Sequence, residues 1–178
     1  MKLHLGCGKR FIPNFVHVDA VDYPHVDHVT TIDNLSFIPE NSVDLIYNCH
    51  VLEHFKRRDV VRVLQEWNRV LKPGGILRIS VPDFAKLCEV YLQYKELDRV
   101  IGALFGRQDY LYNIHYNVFD ISSLKKDLES AGFTNVRQYD WRDTEHANID
   151  DYSQAYIPHM DKENGLLISL NVESTKSI

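Results

Sequence analysis

Apolar and polar positions alternate in short runs along much of this chain. "KLHL" at residues 2–5, "FVHVD" ending at Asp19 and "VDLIYN" ending at Asn48 are β-rich stretches stopped by turn or polar residues, the pattern of buried strands. Between Arg57 and Leu71 the period changes. Val60, Leu64, Trp67 and Leu71, with Val61 and Val70 beside them, recur at three- and four-residue spacing, which predicts an amphipathic helix. "KPGG", Lys72 to Gly75, closes it, since Pro73 cannot continue a helix and the glycines permit a sharp turn into the strand "ILRISV". Helix is expected again after Asp83, a predicted N-cap, and on towards Gly102 and Gly106, which weaken it. A further helix starts at Ser122 or Ser123, carries Leu124, Leu128 and Ala131 on one face, and stops at Gly132. "VRQYDW" and the last strand, 166–172, then alternate once more.

Strands alternating with helices predict an α/β protein, a parallel sheet with helices on both faces. Ligands of such sheets bind beyond the carboxyl ends of the strands. Five groups should therefore converge on one edge: Gly6, Cys7 and Gly8; Asp19; Thr31 to Leu35; Asn48, Cys49 and His50; and Pro82 with Asp83. No repeat, low-complexity segment or linker interrupts the series, so residues 1–178 are expected to form a single domain with its core in 2–140.

Composition narrows the function. With 178 residues, 44% of them hydrophobic, the chain can build a core without a surplus for a membrane. No run approaches the ~18 apolar residues of a spanning helix, and no leader pattern precedes "LHLGCG", so a cytoplasmic protein is expected. Cys7, Cys49 and Cys88 are odd in number and far apart, which points to buried, reduced thiols instead of a disulfide framework or zinc ribbon. A net charge of −5, with Lys and Arg spread along the chain, argues against a nucleic-acid partner.

"LHLGCG", "VHVD", "DNLSFIPENSVDLIYNCHVLEHF" and "VLKPGGILRISVPD", in that order, resemble the class I S-adenosylmethionine-dependent methyltransferases, and "HYNVFDISSLKKDLESAGFTNVR" is similar to the segment those enzymes place before their last strand pair. The resemblance covers Lys2 to Tyr139. It implies a Rossmann-like, doubly wound, mostly parallel seven-stranded sheet and S-adenosylmethionine as cofactor. Gly6, Cys7 and Gly8 would pass close to the cofactor, where glycine avoids a Cβ collision. Asp19, with two acceptor oxygens, would take both ribose hydroxyls. Asp33, Asn34 and Leu35 would lie at the adenine, and Asn48, Cys49 and His50 beside the methionine portion and the departing methyl group.

The chain departs from that family at several points. His4 stands where an acid usually precedes the first glycine, Arg10 replaces the third glycine, and Thr31 stands where an acid usually meets the adenine amino group, leaving Asp33 as the substitute. Thirteen positions separate Gly6 from Asp19, too few for a full crossover helix, so a loop around "KRFIPNF" must replace it. Cover helices ahead of the first strand are not expected either. Tyr110 to Tyr116, the long polar stretch 141–165, or a second copy in a homodimer would have to close the pocket; packing of 141–165 against the sheet edge is equally open.

His50, Glu53 and His54 also spell H-x-x-E-H, a zinc-peptidase signature. A strand runs directly into it and no third ligand stands out, so no metal is expected. Methyl transfer is in-line displacement from a sulfonium whose leaving group is already good; the enzyme chiefly positions, and adds a base when the acceptor is a hydroxyl. His50 and then His115 are the candidate bases, each with a structural, hydrogen-bonded reading beside it. The abundance of Asp, His, Tyr and Asn in the remaining stretches points to a small polar acceptor, a sugar-like hydroxyl or carboxyl. The other readings are a non-catalytic protein that binds S-adenosylmethionine or S-adenosylhomocysteine, a nicotinamide oxidoreductase and, most remotely, the zinc peptidase.

Overall fold

The alternation along the strands becomes two unlike faces of one sheet. A computed structural model describes residues 1–178. Its strands are β1 (Lys2–Leu5), β2 (Val16–Asp19), β3 (His28–Val29), β4 (Val43–Cys49), β5 (Leu71–Pro82), β6 (Phe133–Gln138), β7 (Tyr156–Ile157), β8 (Leu166–Leu167) and β9 (Ser169–Lys176). β7 and β8 pair only with each other, and the other seven form a sheet in the order β3-β2-β1-β4-β5-β9-β6. β1 to β5 run parallel, while β9 is antiparallel to both β5 and β6. The expected mostly parallel seven-stranded sheet is therefore present. The expected last strand at 166–172 is divided: Leu166 and Leu167 belong to the small hairpin, and the sheet strand runs on to Lys176.

Helix α1 (Val60–Val70) joins β4 to β5, and α2 (Phe84–Tyr94), α3 (Ile101–Phe105) and α4 (Ile121–Ser130) lie between β5 and β6. Each begins for a local reason or packs for one. The Asp83 carboxylate accepts from the Ala85 and Lys86 N–H groups at the start of α2, and Asp120 with Ser123 forms a reciprocal cap on α4. On α1, Val60, Val63, Leu64, Trp67 and Val70 are buried, and the Trp67 indole donates to the Ile32 carbonyl at 2.8 Å. The long helix expected after Asp83 is broken instead: Lys95 turns left-handed at φ +56°, and α3 is only five residues long. A continuous helix would carry Val100 about 15 Å beyond Val90. The break folds Val100 back against Leu87 and Val90, in a small cluster with Ile168.

α1 and α4 pack on one face of the sheet, where Leu3, Leu5, Val18, Ile46, Leu77, Ile79, Leu170 and Val172 join the main core. On the other face, register sets His17, His4, Tyr47, Arg78, Glu173 and Arg137 side by side across six strands. No helix packs on the cluster of Ile12, Phe15, Leu45 and Tyr47 there; the loop after Gly8 and the segment around Ile149 cover it. Tyr47 donates to Asp151 at 2.6 Å, and the His146 ring lies 4.1 Å from the Tyr47 ring. Part of the stretch 141–165 lies on the face of the sheet instead of its edge and fills the place of the helix that the short first crossover lacks. No helix is long and apolar enough to cross a membrane.

Candidate functional site

Parallel pairing brings the strand ends together. Leu5 pairs with Val18 and with Asn48, Asn48 pairs with Ile79, and Asp19 pairs with Val29, so the loops that follow open on one edge. Gly6 and Gly8 both adopt positive φ, +64° and +53°. Their reasons differ. A Cβ at Gly6 would stand 2.5 Å from a Val51 methyl, so this glycine lets the loop after β4 approach the loop after β1. A Cβ at Gly8 would meet nothing within 4 Å and would project into open space beside the loop.

The Asp19 carboxylate faces these glycines. It is 9% exposed; one oxygen accepts the Gly8 N–H at 2.7 Å and the other the Val21 N–H at 2.8 Å. A carboxylate offers about four acceptor sites. Two backbone donors fix its orientation and leave capacity for hydroxyl donors. Burial, then the fields of Tyr23, Asp19, Asp109 and Tyr152, raise the Tyr110 hydroxyl above the usual phenol range.

At the end of β4, Asn48 is fully buried and neither its amide nitrogen nor its oxygen has a hydrogen-bond partner. His50 follows at φ +54°, a strained setting for a non-glycine, and its N–H donates to the Ser80 carbonyl at 2.8 Å. Its Nε2 lies 2.9 Å from Ser169 Oγ, and that hydroxyl donates to the Tyr152 carbonyl. With the serine proton committed there, Nε2 must carry the imidazole proton. Nδ1 then turns its lone pair to Glu53 Oε1, 3.5 Å away. Burial, and after it His115 and His54, lowers His50 to about 3, while burial raises Glu53 to about 8. His115 is also lowered by burial, against the opposing bond from its Nδ1 to the Ala103 carbonyl at 2.8 Å; its Nε2 keeps a free lone pair. His54 meets the His115 ring edge-on at 4.8 Å.

The structure thus brings the loops carrying Gly6, Cys7, Gly8, Asp19, Asn48, Cys49 and His50 to one edge, with His115 against His54. It holds Asp33, Asn34 and Leu35 differently from the expected adenine contacts. Leu35 is fully buried in the core, its N–H donates to Glu66 at 2.8 Å and its carbonyl accepts from Arg69 at 3.0 Å. Asp33 pairs with Arg62 at 3.0 Å; burial raises its carboxyl, but the bonds from Arg62 and Thr31 outweigh that and leave it low. Asp33 and Asn34 line an open polar depression with Arg62, Glu66 and Arg69, and none of Gly6, Gly8 or Asp19 borders it. The charged outer side of α1 captures this loop, a long-range effect that spacing along the chain does not reveal.

Burial holds two of the three cysteines in the thiol form. Burial, then the nearby Asp19, pushes Cys7 up to about 12, and burial pushes Cys49 well above the usual thiol range. Cys88 is exposed, against the expectation that all three would be buried. The zinc-peptidase geometry is absent, because Leu52–His54 is a single 3-10 turn and His50 precedes it in a left-handed conformation, so the two histidines share no helix face. Sequence reasoning missed Ser169, which has no local signal, and gave Glu53 no role outside the H-x-x-E-H pattern.

Comparison with known proteins supplies independent findings. A family profile described as "Methyltransferase domain" matches residues 3–138. A demethylmenaquinone methyltransferase of Staphylococcus aureus is 30% identical over 130 residues, which is 68% of this chain and 48% of that protein. The chain thus spans about half the length of the curated relatives it matches. A methyltransferase from Archaeoglobus fulgidus whose description calls it SAM dependent superposes with a TM-score of 0.61 at 16% identity, over 98% of this chain and 85% of that one. The 1,6-didemethyltoxoflavin-N1-methyltransferase of Burkholderia thailandensis, solved with bound 1,6-didemethyltoxoflavin and S-adenosylhomocysteine, superposes with a TM-score of 0.56 at 14% identity, over 99% and 71%.

Proposed function

Since the chain belongs to the methyltransferase-domain family, with the fold of its class I S-adenosylmethionine-dependent members, we propose that it moves a methyl group from S-adenosylmethionine to a small polar acceptor, a hydroxyl or carboxyl on a sugar-like molecule. The single observation that carries this reading is the Asp19 carboxylate, fixed by the Gly8 and Val21 N–H groups and turned towards a glycine loop with open space beside it. These residues fit a nucleoside: two backbone donors aim the carboxylate, its remaining lone pairs suit a vicinal diol, and the space at Gly8 admits a sugar. The cofactor would supply an electrophilic methyl on a sulfonium with a neutral leaving group.

The chain's own task is positioning and exclusion of water. Tyr110 from the 107–116 loop and Tyr152 from the segment over the polar face come from the two stretches that were candidates for closing the pocket; Tyr152 stacks at a tilt with His50, ring centroids 5.2 Å apart. His50 has Nε2 held by Ser169 and only a 3.5 Å approach from Nδ1 to Glu53, so it orients the end of β4 more than it takes protons. His115 keeps its Nε2 lone pair uncommitted, available either to a proton or to another partner.

Calorimetry with S-adenosylhomocysteine tests the reading. Wild type should bind, and Asp19→Ala should bind at least ~30-fold more weakly through the loss of charge-assisted hydrogen bonds. Absence of binding by wild type, or equal affinity in the two proteins, would overturn it.

A further inference from the structure

The H-x-x-E-H stretch has no peptidase geometry, yet its second half meets a histidine some sixty residues later. Donor atoms of Glu53, His54 and His115 all lie within 4.8 Å of one another. Two features of the group are poor as plain packing, and a third suits coordination chemistry. Glu53 is 0% exposed and neither carboxyl oxygen has a hydrogen-bond partner, a costly arrangement for any carboxyl group. His54 has a carbonyl oxygen near each ring nitrogen, Ile114 O at 3.1 Å from Nδ1 and His50 O at 3.2 Å from Nε2. A neutral imidazole owns one N–H, so one of these contacts sets a lone pair against an oxygen. His115 gives its Nδ1 proton to the Ala103 carbonyl at 2.8 Å, which fixes the tautomer and presents Nε2 as a donor, the arrangement that outer partners impose on metal-ligating histidines.

We propose that Glu53, His54 and His115 form a binding site for a divalent transition-metal ion, with zinc the closest match to one carboxylate and two imidazoles. Two histidines and a glutamate leave a coordination position open. Drawing the three donors onto an ion at about 2.0–2.2 Å takes side-chain movements on the order of an ångström. His50, 3.5 Å from Glu53, is followed by Val51, which packs against Gly6 of the glycine loop. An ion there would hold the acceptor's oxygen and favour loss of its proton to water, and this role, unlike the site itself, rests on the methyl-transfer reading.

The test uses the full chain purified without affinity metals, stripped with a chelator, and titrated with cobalt(II) followed by visible absorption, then with zinc in competition. The expected result is one ion per chain, a cobalt spectrum of low coordination number, zinc displacement, and a higher Tm with zinc. Glu53→Gln and His115→Ala should each weaken binding by ~100-fold or more. Glu53→Gln keeps the side chain's shape, and its Tm in chelator should match wild type, which separates lost ligation from misfolding. Failure of wild type to bind, or binding left unchanged in both variants, would overturn the site; the latter would move the ion elsewhere, for instance to His4, His17, His25 and His146. S-adenosylhomocysteine calorimetry on the same samples keeps the two proposals apart. Cofactor binding without metal binding defeats only the metal site, and metal binding without cofactor binding defeats only the methyl-transfer reading.

Discussion

One face of the sheet meets helices with aliphatic side chains, and the other meets loops with histidine, tyrosine and an ion-paired Arg78–Glu173–Arg137 group. Both are buried, but they are held by different physics. On the helix face, Trp67, Leu64, Leu77 and Ile79 are fully enclosed in a single cluster, and burial of apolar area is insensitive to pH. On the loop face, His4 and His17 are almost wholly buried, and their packing requires them to stay neutral. The difference teaches that a covered face need not be a hydrophobic one. Loops suffice where the side chains beneath them supply hydrogen bonds and ring contacts.

The strongest challenge to the comparison is on the helix face. Trp67→Ala should cost about 3–5 kcal/mol in urea unfolding, and the loss should be the same at pH 7 and pH 5. A markedly smaller cost would mean that α1 is not the anchor of that face.

The next effect is the part that His4 alone contributes, on the order of 3 kcal/mol, which should be lost as the protein is acidified from pH 6.5 towards 4. Burial, then the neighbouring His17, His146 and His25, lowers His4 to about 3, and burial lowers His146 to about 4. In that window the unfolded chain binds protons that the folded chain refuses. Stability is therefore complete above about 6.5 and is lost as pH falls through the window. His4 packs against His17, Tyr47 and Phe15, and its Nδ1 has no hydrogen-bond partner. His4→Leu should flatten the acid limb of the stability curve, and an unchanged limb would place the acid-sensitive group elsewhere.

The smallest effect distinguishes cover from core. Tyr47→Phe removes the bond to Asp151 and should cost about 1 kcal/mol, with faster hydrogen exchange confined to residues near 146–154. Exchange that rises equally in α1 would show that the two faces are not independent.

Elements with a local cause were legible along the chain: strands from period two, α1 and α4 from their apolar faces, and the start of α2 from Asp83. The glycine loop and Asp19 were legible too, because backbone conformation and the need for an acceptor are written in single residue types. Other features had no local cause. The break at Lys95 serves a contact between Val100 and Val90, the loop holding Asp33 is drawn to charges on α1, and Ser169 reaches His50 across 119 positions.

The amino-acid order by itself determined the sheet, α1, α4 and the start of α2, the family and the carboxylate beside the glycines, since each follows from periodicity or from the chemistry of a short stretch. Tertiary structure alone decided that residues 141–154 would replace a missing helix, that Leu35 would sink into the core, and that His115 would join Glu53 and His54. Those outcomes depend on which surfaces remain uncovered once the strands have paired, and that is fixed by contacts between residues too distant along the chain for any local pattern to encode.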